Sequence, residues 1–140
     1  MSLAIGFDAR YIRTDHHDGI SRFSARIGSE LFALTESLDD FSVTFLISDP
    51  AQAAFLPSGA RTHLISSPTS ARERRVARRV NGLGLDIVFS PMQTMGSLGR
   101  KFKLVLTLHD LIYYAHPKPP PSLSLPIRIV WRLYHLSFVP

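Results

Sequence analysis

The feature that most constrains the fold is a short apolar run that ends in two polar residues. Residues 104–108 read Leu-Val-Leu-Thr-Leu, and His109 and Asp110 follow directly. A run this short and this apolar predicts a strand buried on both faces, as in the middle of a parallel sheet. Ligands of open α/β sheets bind just outside the carboxyl ends of the strands. The sequence therefore predicts that His109 and Asp110 lie at a binding edge.

Strand-like and helix-like segments alternate along the rest of the chain. Four further apolar segments predict strands, at residues 3–7, 42–47, 62–65 and 86–89. Ile20, Phe23, Ile27, Leu31 and Leu34 recur at steps of three and four, which predicts one face of a helix that begins at Gly19. A second, arginine-rich helix is predicted from Ser70 to Asn81, where Gly82 and Gly84 follow. This alternation predicts an α/β fold, a parallel sheet with flanking helices.

The start of the first helix is a second candidate site. The sequence there is Asp18-Gly19-Ile20-Ser21-Arg22. A helix N-terminus can receive a phosphate group, because its free N–H groups and its dipole both favour an anion. A simple helix cap accounts for Gly19 equally well. On the functional interpretation, the imidazole of His109 forms one wall of a cleft, and the anion-binding N-terminus of this helix forms the other.

Composition excludes several classes of protein. The chain has 140 residues, of which 45% are hydrophobic and 19% charged, so we expect one folded domain with a substantial core. It has no cysteine, which excludes disulfide scaffolds, thiolate zinc sites and cysteine nucleophiles. The first residues show no basic segment followed by a long apolar one, so no signal peptide is predicted. We expect a cytoplasmic location.

The positive charge is concentrated in one segment. Most of the formal net charge of +5 comes from five arginines that face a single glutamate, namely Arg72, Arg74, Arg75, Arg78 and Arg79. A solvated helix face is one interpretation. Peripheral docking on the anionic inner face of a membrane is another, because basic side chains are attracted to such surfaces. Nucleic acid is not expected as a partner, since no aromatic residues are interleaved and no binding module is recognised.

The segment Asp15-His16-His17-Asp18 raises the question of a metal site. Imidazole and carboxylate groups are common metal ligands. Adjacent histidines rarely bind one ion, however, and the chain has no helical pair of histidines four residues apart. A polar loop explains the cluster, so no metal site is predicted.

Two motifs resemble a known enzyme family. Gly19-Ile20-Ser21-Arg22-Phe23 after an N-terminal strand resembles the start of family 4 glycosyltransferases, and the mannosyltransferases among them in particular. The run from Val105 to Leu111, followed by Tyr113-Tyr114-Ala115-His116-Pro117, resembles a later element of the same family. The resemblance covers essentially the whole chain. It implies that residues 1–140 form a Rossmann-like, acceptor-side domain, the N-terminal half of a GT-B architecture without its C-terminal donor domain.

The resemblance also implies an activity and roles for particular residues. The full enzyme would transfer a sugar from a nucleotide-sugar donor with retention at the anomeric carbon, without a metal or other cofactor. His109 would be catalytic, Gly19 and Ser21 would contact the donor diphosphate, and Asp110 and Arg22 would orient the acceptor. That acceptor could be a lipid, a glycan or a small alcohol. Because the donor domain supplies most donor contacts in this family, the 140-residue chain alone is expected to be inactive.

Two further expectations do not depend on catalysis. The alternative function is a non-catalytic Rossmann-like module that binds a nucleotide or an anionic surface, in which His109 only caps its strand. No Gly-x-Gly-x-x-Gly motif follows the first strand, so a dinucleotide is not indicated. The apolar segment from Ile127 to Val139 reads as a helix with nothing to cover it. We therefore expect the chain to be the front part of a longer protein, or to self-associate through this helix.

Overall fold

The computed structural model describes residues 2–109, 118–119, 121–129 and 132. This part of the chain forms five strands, two α-helices and a further helical stretch at residues 125–129. The strands are β1 (Leu3–Asp8), β2 (Phe41–Ile47), β3 (Arg61–Leu64), β4 (Ile87–Ser90) and β5 (Lys103–Leu106). The α-helices are α1 (Gly19–Glu36) and α2 (Val76–Asn81), and short 3-10 helices span Ala9–Tyr11, Pro50–Phe55 and Ala71–Arg75. All strand pairs are parallel, in the order β3-β2-β1-β4-β5, which confirms the predicted α/β, Rossmann-like fold.

Strand β1 is the centre of the sheet. It pairs with β2 on one side and β4 on the other. Its Phe7 is fully buried, and the ring centroids of Phe45 and Phe89 lie 5.5 and 5.7 Å away. The chain lays β2 and β3 on one side of β1 and then β4 and β5 on the other. The direction of winding therefore reverses between β1 and β4.

The predicted central strand is an edge strand in the described structure. Strand β5 ends at Leu106 rather than Leu108, and it pairs with β4 alone among the described strands. The side chains along β5 alternate between exposed and half-buried, and Val105 is 46% exposed, so neither face of the strand is fully covered. The prediction of a strand buried on both faces in the middle of the sheet is therefore wrong for this segment. The central position belongs to β1.

Helix α1 packs against the sheet through small residues. Its buried positions are Ser21, Ser24 and Gly28. A Cβ atom on Gly28 would lie 3.1 Å from ring atoms of both Phe7 and Phe45, so the absent side chain permits this close approach. The predicted helix is confirmed, but its buried face is rotated from the predicted stripe. Ile27 and Leu31 still reach the core, whereas Phe23 and Leu34 are exposed.

The arginine-rich segment is two short helices rather than the one predicted. The 3-10 helix Ala71–Arg75 precedes α2, and the Ser70 side chain caps its first turn. The first helix turns Glu73 inward, while α2 buries Val76, Ala77 and Val80 against the sheet. Gly84, just beyond α2, has a φ of 66°, a conformation that favours glycine.

The C-terminal part of the chain is described only in pieces. Residues 125–129 are helical, and Leu125, Ile127 and Ile129 are exposed on them. Most of the predicted apolar helix, together with Asp110 and the segment 113–117, lies outside the described residues. Within the described ranges no helix has the length and apolar character needed to cross a membrane.

Candidate functional site

The reversal between β1 and β4 marks the expected position of a ligand site. In open α/β sheets, ligands bind outside the carboxyl ends of the strands at such a switch point. Asp8 ends β1 and Ser90 ends β4, and both are fully buried. The Ser90 hydroxyl donates a hydrogen bond to Oδ2 of Asp8 at 3.1 Å. The site is therefore built on the residues that follow these two strands.

A buried ion network made by Asp8, Arg10 and Glu73 supports this edge of the sheet. The Arg10 guanidinium donates to Asp8 from Nε at 2.7 Å and from Nη2 at 2.9 Å. It donates to Glu73 from Nη1 at 2.6 Å and from Nη2 at 3.1 Å. Nη1 also donates to the Ser66 carbonyl at 2.9 Å, and the Gly96 N–H donates to Oε1 of Glu73 at 2.9 Å. The network thus ties together four segments that are distant in the sequence.

Burial and charge set the protonation of the groups around this network. Burial lowers the pKa of Arg10, but the charge of Asp8 and the hydrogen bonds to Asp8 and Glu73 outweigh it, so the pKa lies above its ordinary value. Burial raises the pKa of Tyr11, and the nearby charge of Asp8 raises it further. Tyr11 is therefore a neutral phenol over the physiological range. Its hydroxyl donates to the Thr94 carbonyl at 3.3 Å.

A cleft of about 620 Å³ opens beside the network. We call it the switch-point cleft; it is lined by Tyr11, residues 68–71, Glu73, Arg74, Met92, Thr94 and Met95. The volume lies in the range of small-molecule sites, which are mostly apolar with a few placed polar groups. Here Met92 and Met95 supply apolar surface, and the Tyr11 phenol and the Arg74 guanidinium supply polar groups. The arrangement suits a small organic ligand.

A second depression, of about 400 Å³, adjoins this cleft at Ala71 and Arg74. We call it the arginine pocket; it is lined by Ala71, Arg72, Arg74, Arg75, Arg78 and Leu98. Four of the five arginines predicted to form an anionic-surface contact therefore surround one pocket. The fifth, Arg79, is exposed on α2 but does not line it.

His109 lies three residues after β5, at the predicted edge of the sheet. Its Nε2 atom is 2.6 Å from the carbonyl oxygen of Pro91, and a carbonyl only accepts, so Nε2 carries the hydrogen. Its ring meets Phe23 of α1 edge-on, with centroids 5.3 Å apart. The structure thus brings the two sequence motifs together. Within the described residues, Nδ1 has no hydrogen-bond partner, and in the neutral ring it is an acceptor.

The other predicted site residues have different surroundings. Asp18 caps α1, and its Oδ1 accepts from the Ser21 N–H at 2.8 Å. The buried Ser21 hydroxyl oxygen accepts from the Arg13 N–H at 2.9 Å and lies 3.1 Å from Nδ1 of His17. An anion at Ser21 would therefore have to displace the carboxylate of Asp18. A Cβ on Gly19 would meet nothing within 4 Å, so packing does not require a glycine there.

Arg22 and residues 13–17 of the loop before α1 are exposed, and Asp110 lies outside the described residues. Hydrogen bonds from Arg13 and His16 hold the pKa of Asp15 well below its usual range. In the part of the chain that the structure describes, no three histidine, aspartate or glutamate side chains are grouped so that they could hold a metal ion.

Sequence reasoning missed the switch-point cleft. Asp8 and Ser90 each follow a short apolar segment, the same signal that singled out His109. The strand order was the missing information, because it alone shows that β1 and β4 are neighbours and that the winding reverses between them. The local sequence places Glu73 on a solvated, arginine-rich face and gives no sign of its burial, since its buried partner Arg10 lies 63 residues away in the sequence.

Comparison with protein-family models finds none that matches the chain, and comparison with curated proteins finds no significant match. The classification of the chain therefore rests on its fold, which is that of an α/β domain of Rossmann-like topology. Its described part places a small-molecule cleft and an arginine pocket at the carboxyl edge of the sheet.

Proposed function

We propose that the chain is the N-terminal, acceptor-side domain of a retaining nucleotide-sugar glycosyltransferase of GT-B architecture. The observation that carries this proposal is the contact between His109 and Phe23. These residues belong to the two motifs that resemble family 4 glycosyltransferases. The contact supports the proposal because a shared active site requires the two motifs to meet at the carboxyl edge of the sheet.

The geometry of His109 suits the expected role. Its Nε2 hydrogen bond to Pro91 fixes the ring and leaves Nδ1 as an acceptor in the neutral state. An acceptor nitrogen can bind a sugar hydroxyl and hold the reacting face of the donor next to the acceptor. Groups positioned in this way stabilise the charge that develops as the sugar leaves its phosphate. The nucleotide-sugar is a substrate in this scheme, and no metal or cofactor takes part.

The same hydrogen bond favours a second candidate function. His109 could hold the loop after β4 to the end of β5, as a purely structural residue would. The domain would then be a non-catalytic binding module for a nucleotide or an anionic surface. The two candidates differ in what the imidazole does for the rate of sugar transfer.

The test is a transfer assay on the protein expressed from its complete reading frame. Labelled nucleotide-sugars are offered with lipid, glycan and small-alcohol acceptors, and His109→Ala is compared with wild type. We expect the rate to fall by about a hundredfold, as when a positioned polar catalytic group is removed. The melting temperature should change by only a few degrees, as for a loss of about 1 kcal/mol.

A matched control is His63→Ala, since His63 lies on β3 and takes no part in the proposed site. If His109→Ala melts far lower while its folded fraction keeps the wild-type rate, the structural role is correct. If no donor is used by the wild-type protein, the binding-module function replaces the transferase.

We further propose a cytoplasmic location with peripheral contact to anionic membranes through Arg72, Arg74, Arg75, Arg78 and Arg79. All five side chains are exposed on one segment. Such a contact would be sensitive to salt, because screening limits exposed charges to a reach of about 8 Å at physiological ionic strength. Flotation with anionic vesicles at low and high salt tests this contact. If the protein does not bind the vesicles at low salt, the arginines form a solvated surface and no membrane contact.

Self-association through the C-terminal apolar segment is part of the same proposal. The exposed Leu125, Ile127 and Ile129 on residues 125–129 support it. Sedimentation of the 140-residue chain should show dimers or larger species, and a clean monomer at high concentration would contradict it.

A further inference from the structure

We propose that the arginine pocket and the switch-point cleft form one continuous site for a phosphate monoester that carries an apolar chain. The two depressions share Ala71 and Arg74 as lining residues, so they adjoin. One half is lined by guanidinium groups, and the other is largely apolar. This inference concerns binding and goes beyond the proposed sugar transfer, on which it does not depend.

Among the described residues, the arginine pocket has no counter-charge of its own. Its lining contains four arginines and no carboxylate. Glu73 is the only acidic residue between Ala71 and Asn81. Its side chain is turned away, and its two oxygens accept hydrogen bonds from Arg10 and from the Gly96 N–H.

The guanidinium groups are therefore available to a ligand. In the described structure, the side chains of Arg72, Arg74, Arg75 and Arg78 form no hydrogen bond or ion pair. Guanidinium groups present a planar set of donors that matches phosphate oxygens, and such charge-assisted bonds are strong. A phosphate monoester, with about two negative charges and three terminal oxygens, suits several converging arginines better than a carboxylate does.

The adjoining cleft gives the ligand its second feature. Met92, Met95 and Pro68 line it, and its volume of about 620 Å³ exceeds what a phosphate group alone would fill. Methionine side chains adapt their shape to apolar groups. Among the described residues that line the cleft, Arg74 carries the charge that is free to meet a polar ligand, because Glu73 is bonded to Arg10. An apolar chain attached to the phosphate would therefore lie along the methionines.

Titration calorimetry on the 140-residue chain tests this proposal, with octyl phosphate below its micellar concentration as the probe. Inorganic phosphate and octanol are the reference ligands. We expect octyl phosphate to bind at least about tenfold more tightly than either, because it uses both halves of the site. Equal affinities for octyl phosphate and inorganic phosphate would overturn the composite site, and so would the absence of any binding.

Three exposed or partly exposed positions give matched variants. Arg74→Gln should weaken octyl phosphate binding by about tenfold. Arg79→Gln, which removes the same charge from the same segment outside the pocket, should leave it within about twofold. Met92→Ser should weaken octyl phosphate while leaving inorganic phosphate unchanged. Equal losses of octyl phosphate affinity for Arg74→Gln and Arg79→Gln would show that the whole arginine-rich segment attracts the anion diffusely. That result would overturn the proposal.

Vesicle binding distinguishes a lipid headgroup from a free amphiphilic phosphate ester as the source of the phosphate. Vesicles of phosphatidylcholine with phosphatidic acid are compared with vesicles of phosphatidylcholine alone. Binding to the first that falls with Arg74→Gln but not with Arg79→Gln would support a lipid headgroup as the ligand. Binding of octyl phosphate without binding to either vesicle would support a free amphiphilic phosphate ester.

Discussion

Replacing Arg10 with methionine should destabilise the fold more than any exposed charge substitution. Arg10 is only 5% exposed, and its guanidinium donates to Asp8, Glu73 and the Ser66 carbonyl. Methionine has a similar length but no charge, so Arg10→Met leaves two buried carboxylates without their cation. Removing one partner of a buried ion pair typically costs about 3–5 kcal/mol. For a domain of this size that corresponds to a fall in melting temperature of roughly 10–15 °C.

The assay is urea unfolding followed by far-ultraviolet circular dichroism, with thermal melts in parallel. Arg13→Met is the control, because the Arg13–Asp15 ion pair has side chains that are 46% and 64% exposed. Exposed pairs contribute little to stability, so this variant should unfold almost like wild type. Arg10→Lys, which keeps the charge but loses the planar set of donors, should fall between the two. If Arg10→Met loses no more stability than Arg13→Met, the network does not support the fold as argued.

Three further predictions follow from single contacts. Gly96→Ala should cost about 2 kcal/mol or more in thermal melts, because its Cβ would overlap the Glu73 carbonyl oxygen, whereas Gly19→Ala, which meets no atom within 4 Å, should be neutral. Burial raises the Tyr11 pKa, so its contribution to stability is complete below about pH 10 and declines above it. The free energy of unfolding, measured by urea titration from pH 8 to 11, should therefore fall less steeply with pH for Tyr11→Phe than for wild type. Equal slopes would contradict this. Ser21→Ala should lose about 1 kcal/mol, because the Arg13 N–H loses its acceptor, and an unchanged urea midpoint would count against that role.

Local pattern was enough to predict the strands and α1, because hydrophobic periodicity reports local geometry. It was not enough to predict which strand lies at the centre of the sheet and which at its edge. The segments that became β1 and β5 are both short, apolar and followed by polar residues, yet β1 is central and β5 lies at the edge of the described sheet. The position of a strand in the sheet depends on which segments pair over long distances in the sequence. That information is not contained in either segment.

The same limit explains the errors at the level of side chains. The buried face of α1 is formed by Ser21, Ser24 and Gly28, since small residues let the helix approach the Phe7 ring. A hydrophobicity pattern gives such residues no weight. Glu73 likewise looked exposed among arginines, and only its tertiary contact with Arg10 shows that it is part of the buried support of the site.

The ion network has a consequence for how the chain folds. Glu73 is 63 residues from Arg10, and Ser90 is 82 residues from Asp8. Closing such long loops has an entropic cost that must be met before the buried charges are paired. No partly folded form that lacks either the β1 end or the arginine-rich segment can therefore possess the switch-point cleft. Occupancy of that cleft would report that these two segments have docked, and two fragments of the chain cut between β3 and Ala71 would regain it only by reassociating.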